Sequence, residues 1–119
     1  MMISEQEILN ASILIVDDQE SNVQLLEQML REAGYLNITS TMDPHAVCAL
    51  HRDNHYDLIL LDLQMPGMDG FEVLKALRDP APHIVFSTAH DEYAIRAFEV
   101  QAVDYLLKPY DRARVAAAV

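Results

Sequence analysis

Asp57-Leu-Ile-Leu-Leu-Asp62-Leu-Gln64-Met-Pro66-Gly67-Met-Asp69-Gly70 is the stretch from which the fold is read. Asp57 to Asp62 is almost unbroken apolar sequence, the pattern of a strand covered on both faces in a parallel sheet. Asp62 stands where that strand ends. Pro66, Gly67, Asp69 and Gly70 then turn the chain, with Asp69 placed to cap a helix over Gly70 to Arg78. A carboxylate at the end of a buried strand is costly unless it has a partner or a task. In open α/β sheets the carboxyl end is also where ligands bind.

The same alternation extends in both directions. Upstream, Ser12 to Val16 reads as a buried strand running into Asp17 and Asp18. Val23, Leu26, Leu30 and Ala33 recur at helical spacing within Ser21 to Ala33, with Leu25 and Met29 widening the stripe and Gly34 at the C-terminal end. Leu36 to Ser40 is a weaker, edge-like strand. Asp43 and Pro44 open a second helix running to about Asp53. Downstream, Asp79 to Pro82 is a short connector and Ile84 to Thr88 a fourth strand. Asp91 to about Val100 is a helix with Ala94, Ala97 and Phe98 on one face. Val103 to Leu107 is a fifth strand ending at Lys108-Pro109, and Asp111 to Val119 begins a last helix. Five strands and five helices in alternation predict a flavodoxin-like, doubly wound α/β fold around a parallel sheet. Residues 1–11 read as a polar leader and 12–119 as one domain. The last helix reads as cut short, so a longer parent chain is expected.

Composition narrows the function. Half of the 119 residues are apolar (51%), and the formal net charge is -11. Such an acidic surface repels nucleic acid and anionic membranes, so no direct contact with either is expected. Cys48 is the only cysteine, which excludes an internal disulfide and a cysteine-based zinc site. No signal peptide or membrane-length apolar run is visible, and a cytoplasmic setting is expected.

The strand ends carry the chemistry. The first ends at Asp17 and Asp18, the third at Asp62, the fourth at Thr88 and the fifth at Lys108. In the order 2-1-3-4-5 these strands are neighbours and all five side chains meet at one rim. Three carboxylates there repel one another, and a divalent cation relieves the repulsion. Oxygen donors in small number suit Mg²⁺. With the cation present, Asp62 is a nucleophile toward phosphorus. Lys108 adds positive charge and the Thr88 hydroxyl a hydrogen bond, which suits a reaction governed by positioning and charge neutralisation.

Ile-Val-Asp-Asp, Leu-Leu-Asp-Leu-Gln-Met-Pro-Gly-Met-Asp-Gly, Ser-Thr-Ala and Tyr-Leu-Leu-Lys-Pro-Tyr occur in that order. Together they resemble the receiver domain of two-component response regulators, the CheY-like family, over roughly residues 12–119. The strand order 2-1-3-4-5 is what this resemblance implies. So are the roles that follow. Asp62 resembles the phosphoacceptor, fed by a sensor histidine kinase or a phosphotransfer protein. Asp18 and Asp62 resemble the Mg²⁺ ligands, with Asp17 holding a metal-bound water and the Gln64 backbone carbonyl as a further ligand. Thr88 and Lys108 resemble the switch hydroxyl and the phosphate-contacting lysine, and Tyr105 the aromatic that turns inward with the threonine. Gln64 and His90 fall at positions that tune phosphoryl lifetime. The Lys108-Pro109 bond is expected to be cis. The implied protein is a signalling phosphoacceptor that promotes its own phosphorylation and dephosphorylation, and is otherwise no enzyme. Its readout is the face of the fourth helix, fifth strand and last helix, acting on a homodimer or on an effector beyond Val119.

The half through Arg78 resembles receivers joined to cyclic-di-GMP phosphodiesterase domains. The half from His83 resembles receivers joined to LytTR-type DNA-binding domains. A natural mosaic and an engineered chimera both account for this, and both outputs stand. Two rival functions are a phosphorylation-independent interaction module and a dehalogenase-type aspartyl phosphatase. The phosphatase normally needs a second acid two residues after the nucleophile, where this chain has Gln64. His51 and His55 are four apart on a helix, but with no third ligand evident they read as a solvated helix face. Cys48 reads as a small buried residue.

Overall fold

The computed structural model describes residues 9–62, 65, 67, 69–77, 83–88 and 104–107. The strands are β1 (Ile13–Val16), β2 (Ile38–Thr41), β3 (Leu58–Asp62), β4 (His83–Thr88) and β5 (Asp104–Leu107). The described helices are α1 (Glu20–Glu32), α2 (Val47–Asn54) and α3 (Gly70–Ala76), with a 3₁₀ turn at Pro44–Ala46. The strands form one parallel sheet in the order β2-β1-β3-β4-β5, as expected. Residues 1–8 of the expected leader, the fourth helix and the last helix lie outside the described residues.

The apolar runs are continuous because the sheet is covered on both sides. Successive residues of a strand point to opposite faces. Leu14, Val16, Ile59, Leu61, Ile84 and Phe86 therefore share one core with Val47, Tyr56, Met65 and Val73, on the side of α2 and α3. Ile13, Ile15, Leu58, Leu60 and Val85 share the other with Val23, Leu26 and Leu30 of α1. Each fully buried Leu or Ile contributes about 1.5–3 kcal/mol, so the central strands anchor the carboxyl rim firmly. The stripe on α1 is narrower than its sequence spacing implies. Leu25 is 36% exposed and Ala33 leaves the helix as its C-cap. β2 is the half-exposed edge strand.

Each described helix is closed by a device that sequence either shows or hides. Gly34 at φ +104 ends α1. Its N–H donates to the Arg31 carbonyl and that of Tyr35 to the Leu30 carbonyl, each at 3.0 Å, a Schellman closure. Asp43 accepts from His45 N–H at 2.9 Å, and the Ala46 N–H closes back on the Asp43 carbonyl. This tight closure makes the first turn 3₁₀ instead of the continuous helix expected from Asp43 onward. Asp69 caps α3 by accepting from Glu72 N–H at 2.9 Å, as its sequence position predicts.

α2 ends without a glycine. His55 takes the left-handed conformation at φ 52 and so is no longer on the helix. His51 is only 8% exposed, which corrects the solvated-face expectation. Its Nδ1 accepts the Tyr56 N–H at 3.1 Å, so the ring closes the helix end. Cys48 is half-buried instead of buried.

Candidate functional site at the carboxyl rim

β1 and β3 are in register, with Val16 opposite Leu61. One step further along each strand, Asp17 falls beside Asp62. Asp17 has no solvent exposure and Asp62 has 1%. Asp18, half-buried, follows as the chain turns toward α1. One carboxylate oxygen from each of Asp17, Asp18 and Asp62 lies within 4.8 Å of the others. The three acidic residues picked out by spacing are thus brought to one point.

The chain around Asp17 is folded back on it. Asp17 Oδ1 accepts the Gln19 N–H at 2.9 Å and the Asn22 side-chain Nδ2 at 3.5 Å. Through the Gln19 N–H, Asp17 binds the N-cap residue of α1 and so shapes the turn into the helix. Asn22 carries no motif signal and was missed in the sequence. Its position one helical turn after Gln19 was the only available clue.

The remaining residues fall on the neighbouring strands. Ser87, 2% exposed, pairs directly with Asp62, and Thr88 follows it as the last residue of β4. Thr88 pairs with Leu107 at the end of β5, and Phe86 pairs with Tyr105. Lys108 comes next in the chain after Leu107. Gln64, His90, Lys108 and the Lys108-Pro109 bond lie outside the described residues.

Three formal negative charges within 4.8 Å repel strongly. At an effective dielectric of about 20, each pair costs on the order of 3 kcal/mol. That is a large fraction of a small domain's net stability, about 5–15 kcal/mol. Positive charge brought to the cluster offsets that repulsion. Three carboxylate donors are hard oxygen ligands, so the donor set fits a small divalent cation such as Mg²⁺.

A parallel α/β sheet with an acidic cluster at the carboxyl end of its central strands defines the class of this protein. A family model described as the response regulator receiver domain matches residues 13–119, and the chain belongs to that family. An uncharacterized response regulatory protein of Yersinia pestis is 43% identical over 107 residues, covering 87% of this chain and 44% of that protein. The transcriptional regulatory protein BtsR of Escherichia coli shows the same identity and coverage. The sensory transduction protein LytT of Bacillus anthracis is 39% identical over 108 residues, covering 87% and 43%. The chain spans less than half the length of these relatives. Among solved structures, chemotaxis protein CheY4 of Vibrio cholerae superposes with a TM-score of 0.81 at 29% identity, covering 91% of this chain and 94% of that one. This is a receiver domain of the response regulator type. Among its described residues no helix is long and apolar enough to cross a membrane.

Proposed function

We propose that this chain, as one domain over residues 12–119, is a phosphorylation-controlled switch in which Asp62 is the phosphoacceptor. The observation that carries this reading is the convergence of Asp17, Asp18 and Asp62 within 4.8 Å at the end of the two central strands. Asp18, Asp62 and the Gln64 carbonyl would hold Mg²⁺ directly, and Asp17 would hold it through water. Bound there, the cation would neutralise the charge of an incoming phosphoryl group.

The partner is a sensor histidine kinase or a phosphotransfer protein carrying a phosphohistidine. Asp62 attacks phosphorus, the P–N bond breaks, and the imidazole leaves with the electron pair. The product is an acyl phosphate on Asp62. Its hydrolysis, paced in part by Gln64 and His90, resets the domain. Apart from this transfer and reset the domain turns over no separate substrate. Thr88 and Lys108 contact the phosphoryl oxygens in the modified state, and Tyr105 follows Thr88 inward. Two pre-existing conformations are thereby biased by differential contacts. The readout is the surface of the fourth helix, fifth strand and last helix, through a homodimer or an effector. The transcriptional regulatory protein BtsR, at 43% identity, favours a transcriptional output in a longer protein over a cyclic-di-GMP phosphodiesterase.

Incubation with acetyl phosphate and Mg²⁺, followed by intact-protein mass spectrometry, tests the reading. The wild type gains the mass of one phosphoryl group; with EDTA, or as Asp62→Asn, it gains none. An equal gain in the variant would refute Asp62 as the acceptor.

A further inference from the structure

We propose that Asn22 is a positioning residue for the metal site, acting through Asp17. Asn22 lies in the first turn of α1 and is half-buried. Its Nδ2 donates to Asp17 Oδ1 at 3.5 Å and to Gln19 Oε1 at 3.2 Å. Both partners are acceptors, so only the amide nitrogen can face them. The Asn22 backbone N–H also donates to the Gln19 carbonyl at 3.1 Å. Asp17, Gln19 and Asn22 therefore form a closed ring of hydrogen bonds at the start of α1, completed by the Gln19 N–H to Asp17 Oδ1 at 2.9 Å.

The ring restricts how the Asp17 carboxylate can rotate. Asp17 has no solvent exposure, so no bulk water replaces a lost donor. With the rotation set, the carboxylate meets Asp18 and Asp62 in one arrangement before any cation arrives. Groups that orient metal ligands from behind typically change affinity by about 10–100-fold when removed. The Asn22 contact to Asp17 is long and the Gln19 amide remains when it is lost. The expected effect is at the lower end, about tenfold.

This inference rests on the triad being a divalent-cation site. The test is calorimetric titration of the 119-residue chain with MgCl₂, alongside thermal melts in EDTA. Asn22→Ala removes the donor. Asn22→Leu removes the donor but keeps the branched shape of the side chain. Gln24→Ala removes another carboxamide of the same helix, one that pairs with Glu20 at 3.3 Å away from the site. Both Asn22 variants are expected to bind Mg²⁺ about tenfold more weakly, with a modest fall in the EDTA melting temperature because a donor to a buried carboxylate is lost, and Gln24→Ala to bind as the wild type does. Wild-type affinity in Asn22→Leu would assign any loss in Asn22→Ala to packing and overturn the proposal. A loss of affinity in Gln24→Ala equal to that of the Asn22 variants would overturn it too. A wild type that binds no Mg²⁺ would sink the cation site itself, a result distinct from either.

Discussion

Asp57 and Asp62 flank a single strand, and the two ends of β3 treat their carboxylates in opposite ways. Asp57, exposed at the amino edge, accepts the Ser12 N–H at 2.9 Å and the Ser12 hydroxyl at 3.2 Å. Its own N–H returns to the Ser12 carbonyl at 2.9 Å, and its carbonyl accepts from His83 N–H at 3.2 Å. The carboxylate is matched by neutral donors of Ser12, and the Asp57 backbone completes the tie between β1, β3 and β4. Asp62, buried at the carboxyl edge, has a carboxylate oxygen within 4.8 Å of one from Asp17 and one from Asp18. A carboxylate matched with neutral donors stabilises a fold, whereas carboxylates gathered together oppose it. The amino edge is built for stability and the carboxyl edge for binding.

The largest effect separates the two ends by function. Asp62→Asn should reduce phosphoryl incorporation from acetyl phosphate to background, whereas Asp57→Asn should leave it near wild type in the same mass assay. Equal losses in both would dissolve the contrast.

Stability should move in the opposite sense at the carboxyl edge. Asp18→Asn removes one charge and two of the three repulsive pairs; because Asp18 is half-buried and screened by solvent, the variant should be more stable than wild type in EDTA by about 1–3 kcal/mol in urea titrations. Mg²⁺ at ten times its dissociation constant should stabilise the wild type by about 1.4 kcal/mol and the variant by much less. A destabilised Asp18→Asn in EDTA would mean that the triad is not held under charge strain.

At the amino edge the expected change is smaller and unaffected by metal. Asp57→Ala should cost about 1–2 kcal/mol through the lost charge-assisted bonds to Ser12, equally with and without Mg²⁺. Ser12→Ala, which keeps the backbone donor, should cost about 0.5–1 kcal/mol. Any Mg²⁺ dependence in these two variants would show that the edges are coupled.

The sequence carries one end of β3 better than the other. Asp62 was legible because a buried apolar run stops at it and a turn follows. Asp17 and Asp18 were legible in the same way, and the resemblance supplied the strand order that joins them. Asp57 read as the first residue of a strand because its partner, Ser12, is 45 residues away. Asn22 was hidden for a related reason. A lone asparagine in a first helical turn has no periodic signature, and its role exists only where the chain folds back on Asp17. His51 was misread because its acceptor nitrogen serves a backbone N–H five residues on, outside any side-chain pattern. Local devices with a preferred residue type, such as Gly34 and Asp69, were placed at the right helix ends.

The central claim is that Asp62 alone among the carboxylates takes the phosphoryl group. Borohydride reduction after phosphorylation converts an aspartyl phosphate to homoserine, which peptide mass spectrometry locates. The account predicts homoserine at position 62 and only in samples phosphorylated with Mg²⁺. Homoserine at Asp17, Asp18 or Asp57, or at no position, would contradict it.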